Sequence, residues 1–365
     1  MIRTHKNIIT VLLAILVLTS CGRSNRMATE FVPPVFPPPP DKARFIYDRT
    51  IRNTFDVKKL TTFDRIKQIA TGTAGAGIGL SKPYGVAAYH GRVYVTDTVA
   101  RQVLLFDYQK RDFKQIGAED GMGSLVKPIG LCIDKVKKRL YVADNTARRI
   151  VAYDLDGKFV AAYGGTQLLH RPTGVAVSND GERLYVIDTG GVDTSAHHMF
   201  IFDTESGSML KRIGTRGKND GEFNLPLQAA VGKDGTVYVV DGGNFRVEAF
   251  TADGDFITAF GAIGVRSGQF SRPKGIAVGP KGNIYVVDTG FANFQVFTPE
   301  GKLLTFVGRK GNRGVPGEFL LPAGIAVDDD GRIFVADQFF RKVEVYRPAD
   351  MPPDGGFLPE AEKVH

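Results

Sequence analysis

Three histidines in the middle of the chain are the residues that could most readily bind a metal ion. His170 precedes the adjacent pair His197 and His198, and Asp193 lies just before that pair. Imidazole and carboxylate groups are common zinc ligands, but neighbouring histidines rarely reach one ion together, and this spacing matches no familiar zinc motif. We expect no metal or cofactor, with zinc on His170, His197 and His198 as the alternative.

Nucleophilic catalysis has little support in the sequence. Apart from Cys21 near the N-terminus, the chain contains Cys132, which lies in the apolar run of residues 130–133. A thiol in such a run is usually a small buried side chain rather than a nucleophile. No Ser/His/Asp or Cys/His combination is apparent. The sequence therefore predicts no catalytic residue and no disulfide.

Six aspartates recur at the ends of short apolar runs such as VYVTD and IYVVD. These runs are rich in β-branched and aromatic residues, which is typical of β-strands. A proline opens each copy, usually followed two places later by glycine, and the prolines are spaced 44–54 residues apart. The aspartates are Asp97, Asp144, Asp188, Asp241, Asp288 and Asp337, and the prolines are Pro83, Pro128, Pro172, Pro226, Pro273 and Pro322.

Each repeat contains four strand-like runs. A third run such as QVLLFD or FQVF follows the aspartate, and a fourth run such as FITAFG ends in glycine. A period of about 40–50 residues with four strands is typical of a propeller blade. The repeats resemble the NHL-repeat family, with its consensus P-x-G-V-A-V, I-Y-V-A-D and R-I-Q-V-F, over residues 82–346. The resemblance implies an all-β fold, a six-bladed β-propeller.

The sixth repeat lacks its fourth strand, so an N-terminal segment must complete the ring. Residues 43–51, ARFIYDRTI, alternate like a strand. Residues 65–72, RIKQIATG, resemble the fourth run of the first repeat, although residues 62–64 are typical of a helix start. We expect residues 43–51 to close the ring, with 65–72 as the alternative, so the propeller domain spans 43–346.

The resemblance places the ligand-binding surface at the mouth of the ring. In such propellers the first strand of each blade lines the central channel, and here those strands, GVAA, GLCI and GIAV among them, carry no charge, histidine or hydroxyl. A site must therefore be formed by loops. The predicted ligand-binding residues are the cations that immediately precede a blade-opening proline, together with a lysine between Pro273 and Gly275: Lys82, Lys127, Arg171, Arg272 and Lys274.

The other charged groups of this face are expected to be structural. Arginines between the second and third strands should pair with the repeated aspartates: Arg101, Arg148, Arg149, Arg246 and Arg341. The aspartates occur once per blade, too far apart to share a metal ion. We expect each to accept hydrogen bonds from backbone N–H groups of its own turn.

The N-terminus has the features of an exported lipoprotein. Residues 1–20 carry two cations followed by an apolar run, as a secretion signal does. Residues 18–22, LTSCG, resemble the bacterial lipobox, which implies that Cys21 is the lipid attachment site. The absence of an aspartate after Cys21 implies the outer membrane. We expect residues 21–42, rich in proline, to be a tether, and residues 347–365 to be a loosely attached tail.

These features predict a membrane-anchored periplasmic module that binds or scaffolds an envelope protein or an anionic ligand. The formal charge is +8, but the chain lacks the block of basic residues expected of a nucleic-acid arm, so we expect no nucleic-acid partner. The alternative is a metal-dependent lyase or hydrolase with its site at the mouth. One group of NHL lyases holds zinc with histidines from three blades, whereas the three candidates here share one blade.

Overall fold

The computed structural model describes residues 31–58, 77–191 and 193–361, which form antiparallel β-sheets arranged as six blades. Cys21 and the alternative closing segment 65–72 lie outside these residues. Each blade runs from an inner strand a, through b and c, to an outer strand d. Two single-turn 3-10 helices, Thr54–Asp56 and Gly242–Asn244, are the helical elements of the described part of the chain.

The first three blades have four strands each, in the order a to d. Blade 1 contains β3 (Pro83–Tyr89), β4 (Arg92–Asp97), β5 (Gln102–Asp107) and β6 (Asp112–Ile116). Blade 2 contains β7 (Pro128–Asp134), β8 (Arg139–Asp144), β9 (Arg149–Asp154) and β10 (Phe159–Gly164). Blade 3 contains β11 (Pro172–Val177), β12 (Arg183–Asp188), β13 (His198–Asp203) and β14 (Met209–Ile213). The repeated proline opens every strand a, and the repeated aspartate ends every strand b.

The next two blades follow the same order, and the sixth takes strands from both ends of the chain. Blade 4 contains β15 (Pro226–Val231), β16 (Val237–Asp241), β17 (Arg246–Phe250) and β18 (Phe256–Phe260). Blade 5 contains β19 (Pro273–Val278), β20 (Ile284–Asp288), β21 (Asn293–Phe297) and β22 (Leu303–Val307). Blade 6 contains β25 (Pro322–Val327), β26 (Ile333–Asp337), β27 (Lys342–Pro348), β2 (Phe45–Ile51) and β1 (Val35–Phe36). A short parallel pair, β23 (Arg309–Lys310) and β24 (Glu318–Phe319), lies in the loop before blade 6.

The core is divided among the six blade junctions. Side chains of successive strand residues point to opposite faces of a sheet, so each blade presents apolar groups to both neighbours. At the junction of blades 6 and 1, for example, Val95 and Leu104 pack in one cluster with Ala336 and Val343. One blade could not bury both of its faces, and the closed ring solves this because every blade has two neighbours.

The N-terminal strand closes the ring, as the sequence predicted. Strand β2 pairs antiparallel with β27, from Phe45 opposite Pro348 to Ile51 opposite Val343. The expectation of a tether through residue 42 is wrong at its C-terminal end, because Val35–Phe36 adds a fifth strand to blade 6. Phe36 packs edge-on against Tyr346, which gives the proline-flanked segment an apolar contact that the composition does not reveal.

The C-terminal segment is also attached more firmly than expected. Leu358 is 2% exposed and packs in the apolar cluster between blades 6 and 1. The ring of Phe357 stacks on His90 at 4.2 Å between centroids. The guanidinium of the fully buried Arg332 donates to the carbonyl of Gly355. The prediction of a loose tail is therefore wrong for residues up to 359, because two apolar side chains and a buried cation hold this segment.

The two faces of the ring are built from different connections. We call the mouth face the one formed by the loops that lead into strand a and by the turns between strands b and c. We call the turn face the one formed by the a–b and c–d turns, together with the C-terminal segment. No helix in the described residues has the length and apolar character needed to cross a membrane.

Candidate ligand-binding mouth

The repeated aspartates hold the loops of the mouth face in place by accepting hydrogen bonds from their backbone N–H groups. The Oδ1 atom of the buried Asp97 accepts hydrogen bonds from the backbone N–H groups of Val99 and Ala100, at 3.1 and 2.9 Å. Its Oδ2 atom accepts from the N–H groups of Ser81 and Lys82, at 2.6 and 3.0 Å. The first pair confirms the predicted turn, whereas the second joins strand b to the loop before strand a, which the sequence did not suggest.

In each loop cation the backbone N–H group is held by an aspartate, whereas the side chain points away from it. The backbone N–H groups of Lys127, Arg171 and Arg272 donate to the aspartates of their own blades, as that of Lys82 does. The side chains of these four residues are exposed. Within the described residues, none of them has a carboxylate within ion-pair distance. The mouth therefore carries positive charge that no carboxylate of the described residues neutralises.

The arginines between strands b and c contradict the predicted pairing, with one exception. Arg246 contacts Asp241 at 3.1 Å between Nε and Oδ2. Arg149 instead donates to the carbonyl of Ser124 at 2.8 Å. The side chains of Arg101, Arg148 and Arg341 are exposed, at left-handed turn positions with φ of 57°, 55° and 51°. The aspartates already accept several backbone hydrogen bonds each, which leaves these arginines as further free cations of the mouth.

A ring of glycines narrows the channel just below the mouth. A Cβ atom added to Gly85 would lie 2.5 Å from the carbonyl oxygen of Ile129, and one added to Gly275 would lie 2.5 Å from that of Ala323. At these two positions the neighbouring blade approaches too closely for any residue with a side chain. Blade 4 has Gln228 at this position, and its Oε1 atom accepts a hydrogen bond from the N–H of Val175 at 2.9 Å.

The residues between the proline and the glycine of each repeat surround the axis above this ring. They are Tyr84, Ile129, Thr173, Leu227, Lys274 and Ala323. Lys274 is the charged member, and its side chain is partly buried with Nζ 5.9 Å from the centroid of the Tyr84 ring. Burial, together with the positive charges of Arg272 and Lys82, lowers the pKa of Lys274. Tyr84 was not singled out from the sequence, although its place before Gly85 was a usable signal.

Comparison with known proteins agrees with this architecture. A family model described as a 6-bladed beta-propeller matches residues 57–163, and an NHL repeat model matches residues 270–297. The chain is a six-bladed β-propeller of NHL-type repeats. A segment of 45 residues is 44% identical to the human E3 ubiquitin-protein ligase TRIM32, over 12% of this chain and 7% of that protein.

Solved structures share the propeller fold at low sequence identity. A protein of unknown function from Bacteroides thetaiotaomicron is 19% identical, with a TM-score of 0.57 over 74% of this chain and 70% of that one. A gluconolactonase from Xanthomonas campestris is 18% identical, with a TM-score of 0.56 over 83% and 98%. Virginiamycin B lyase from Staphylococcus aureus is 16% identical, with a TM-score of 0.53 over 73% and 95%. These similarities concern the fold alone.

Two of the three candidate histidines, His197 and His198, form side-chain hydrogen bonds with backbone groups of loops. The Nδ1 atom of the buried His197 accepts a hydrogen bond from the N–H of Leu225 at 3.1 Å, so its Nε2 donates to the carbonyl of Gly191, at 3.1 Å. His198 donates from Nδ1 to the carbonyl of Gly214 at 2.8 Å, and burial lowers its pKa. His170 is exposed. In the described residues no three His, Cys, Asp or Glu side chains are placed to hold a metal ion.

The channel below the glycine ring is a second cavity, of about 230 Å³, lined by the inner strands of the six blades. The inner strands contribute mainly apolar side chains, with Gln228 as an exception, and Lys135, Ser178 and Asn179 line the cavity beyond the strand ends. Cys132 is free and faces this cavity, so it is less completely buried than expected. Burial raises the pKa of its thiol well above the usual value, and nearby Asp134 adds to this effect. The thiol is therefore protonated and a poor nucleophile.

The mouth face also exposes large apolar side chains. Val265 is 89% exposed and Met122 is 72% exposed. Towards the turn face the described residues expose fewer such side chains, with Val136 58% exposed in a turn and Leu210 54% exposed where β14 begins. The full mouth set comprises Phe55, Ile78, Val99, Met122, Val126, Ile263, Val265, Val315, Leu321 and Phe339. The mouth thus combines free cations with exposed apolar groups, a mixture that the composition alone did not localise.

Proposed function

We propose that this propeller is a binding or scaffolding module that captures a partner with an acidic surface on its mouth face. The observation that carries the proposal is the set of loop cations, Lys82, Lys127, Arg171 and Arg272, whose side chains lack a carboxylate partner in the described residues. Positive charge gathered on one face attracts anions and accelerates encounter with them.

The exposed apolar side chains favour a protein over a small ion as the partner. Arginine, methionine and aromatic residues are enriched in protein interfaces, where apolar groups form the centre and charged groups the rim. Here Phe339 and Arg341 lie in one turn, and Val265 precedes Arg266 in one loop. An acidic protein surface with apolar side chains of its own would complement both kinds of group.

The lipid anchor belongs to the same proposal. Its support is the secretion signal of residues 1–20 and the LTSCG sequence around Cys21. We propose that Cys21 carries the lipid, that the protein lies on the periplasmic face of the outer membrane, and that its partner is an envelope protein. Several acyl chains on one cysteine would hold the domain firmly, since each buried methylene contributes ~0.8 kcal/mol.

The decisive experiment changes the mouth cations together. Replacing Lys82, Lys127, Arg272 and Lys274 by Gln should abolish most crosslinking of the native envelope partner and flatten its dependence on salt, while folding changes little. The matched control replaces four cations of exposed ion pairs on or beside the turn face by Gln: Lys110, Lys137, Lys211 and Lys281. Equal loss in both variants would mean that net charge, not the mouth, recruits the partner.

Anchoring is tested separately. A Cys21→Ala variant should accumulate as unprocessed precursor or be released from membranes, because the acceptor thiol for the lipid is gone. Membrane fractionation with and without an inhibitor of the lipoprotein signal peptidase measures both outcomes. Full recovery of processed Cys21→Ala protein in the outer membrane would exclude the lipid anchor and leave the mouth proposal unaffected.

A further inference from the structure

We infer that the depression between Lys274 and Tyr84 at the axis of the mouth binds a carboxylate group. This inference rests on the proposed function and deepens it, because it names the chemical group that the partner inserts. Lys274 and Tyr84 belong to blades 5 and 1, on either side of blade 6, where the equivalent residue is the small Ala323. The small side chain of blade 6 leaves a depression of about 20 Å³, which Tyr84, Lys274 and the nearly buried Ala323 line together.

The ammonium group of Lys274 lies over the ring of Tyr84 but has no carboxylate partner. Within the described residues it has no carboxylate within 4.0 Å, and the charges that act on it most are those of Arg272 and Lys82, which repel it. The carboxylate of Asp337 attracts it, but that group is already occupied. Its Oδ2 accepts a hydrogen bond from the N–H of Leu320, and its Oδ1 accepts from those of Phe339 and Phe340.

Tyr84 supplies a second group suited to the same ligand. Burial raises the pKa of its phenol to about 12, so the hydroxyl is protonated and can donate a hydrogen bond. In the described part of the chain no acceptor is bonded to this hydroxyl. A carboxylate has two oxygens and could therefore accept from the Lys274 ammonium and the Tyr84 hydroxyl at once.

The shape of the depression restricts how a ligand enters. The glycine ring closes it from below, and the side chain of Gln228 lies among these glycines, close to Gly130 and Gly174. Only the end of a chain or a single side chain can reach Lys274 from the mouth. The carboxylate can come from two sources with the same chemistry, the C-terminus of a protein or an Asp or Glu side chain. The apolar Leu227 and Ala323 at the rim favour an apolar group next to it.

Peptides with and without the negative group test this directly. We would titrate the full chain in detergent with acetyl-Ala-Ala-Phe bearing a free C-terminal carboxylate, with its C-terminal amide, and with acetyl-Ala-Glu-Ala amide. Signals of the Lys274 side chain would be followed by NMR. We expect the free acid or the glutamate peptide to bind at least tenfold more tightly than the Phe amide, and the stronger of the two identifies the source. Equal binding of all three would overturn the inference.

Single substitutions distinguish carboxylate binding at this site from general electrostatic attraction to the basic mouth. Lys274→Met should bind the acid and the amide equally, Tyr84→Phe should weaken the acid about threefold, and Lys281→Met, in the same blade on the turn face, should change nothing. Inorganic phosphate that competes as well as the peptides would show a general anion site and overturn the carboxylate assignment. If Lys274→Met retains the native partner while the quadruple mouth variant loses it, the inference fails and the proposed function stands.

Discussion

The mouth face and the turn face of this ring differ in how many of their cations lie against carboxylates. On the turn face, cations lie against carboxylates of the same or the next blade, as Arg183 does with Asp253 at 2.7 Å and Lys211 with Asp255 at 3.2 Å. On the mouth face, ion pairs among the described residues occur only around blades 4 and 6. Several turn-face cations are thus paired, although Arg111, Lys158, Lys233 and Lys302 have no carboxylate within 4.0 Å among the described residues. The mouth face differs in combining its unpaired cations with exposed apolar side chains.

The difference arises from how each face treats its carboxylates. The mouth aspartates are buried at the ends of strand b, where backbone N–H groups satisfy them. The turn-face carboxylates lie in turns, where long cationic side chains can reach them. The repeated mouth aspartates are therefore largely unavailable as ion-pair partners for the mouth cations, whereas turn-face carboxylates such as Asp156 and Asp253 pair with cations of other strands. Net charge, read from composition, cannot show such a separation.

The largest effect on the free energy of unfolding is expected when substitutions of two arginines, one on each face, are compared. Arg332 on the turn face is fully buried and contacts Asp48 at 2.8 Å and Asp330 at 2.6 Å, both nearly buried. Arg332→Met should lower the free energy of unfolding by about 3–5 kcal/mol, because it removes a buried cation from two nearly buried carboxylates. Asp48 then keeps only Arg49 as a cationic partner, and Asp330 keeps only backbone donors such as the N–H of Phe357. Arg272→Met on the mouth face should cost less than about 0.5 kcal/mol. Urea unfolding of both variants measures this, and similar losses would refute the contrast between the faces.

A smaller effect is expected for two leucines. Leu358, on the turn face, is 2% exposed, whereas Leu321, on the mouth face, is 38% exposed. Leu358→Ala should cost about 2–4 kcal/mol, since it removes a buried side chain and leaves a cavity. Leu321→Ala should change stability by no more than about 0.5 kcal/mol. Thermal unfolding provides the measurement. A stable Leu358→Ala variant would restore the original expectation of a loose C-terminal tail.

The smallest test concerns a buried carboxylate under the mouth loop of blade 4. Oε1 of Glu248 accepts a hydrogen bond from the N–H of Gly221 at 3.2 Å and lies 2.9 Å from Nη2 of Arg246. Burial outweighs the opposing effect of this cation and raises the pKa of Glu248 to about 7. The folded state thus favours the protonated form, so stability falls as pH rises from ~4.5 to ~7. Glu248→Gln should gain about 1–2 kcal/mol relative to the natural chain between pH 5 and 7.5.

Blade 5 contains the natural control for that substitution. Gln295 occupies the equivalent place, and its Oε1 accepts a hydrogen bond from the N–H of Gly268 at 3.0 Å. An amide is therefore compatible with the loop, and Gln295→Glu should introduce the pH dependence that Glu248→Gln removes. Parallel pH profiles for the natural chain and Glu248→Gln would show that Glu248 is already ionised in the folded protein at pH 5.

The sequence predicted the ring well because the fold depends on periodic features. Prolines, aspartates and β-branched runs recur in every blade, and the unpaired β27 required a strand from elsewhere, which residues 43–51 supplied. The candidate site was harder to predict. Lys274 could be placed at the mouth, but its contact with Tyr84 depends on two blades that are not adjacent, and on the small residue between them.

The errors concern contacts that no period encodes. The prolines of residues 347–365 predict a loosely attached tail, whereas Phe357 and Leu358 pack against other residues at one blade junction. Proximity in the repeat predicts ion pairs between the arginines of the b–c turns and the repeated aspartates, whereas backbone N–H groups already donate hydrogen bonds to these aspartates. Whether a carboxylate is free to accept a cation depends on three-dimensional hydrogen bonding, which sequence spacing does not specify.

The pairing of β2 with β27 also constrains how the protein is made. These strands are about 300 residues apart in sequence, and contacts so distant are slow to form. Chains emerge N-terminus first, so β2 leaves the ribosome, and any export channel, long before β27 exists. During that interval its backbone donors and acceptors lack their partner strand, and unpaired strands promote aggregation. Biogenesis should therefore depend on protecting residues 45–51 until synthesis is complete, for example by a holding chaperone.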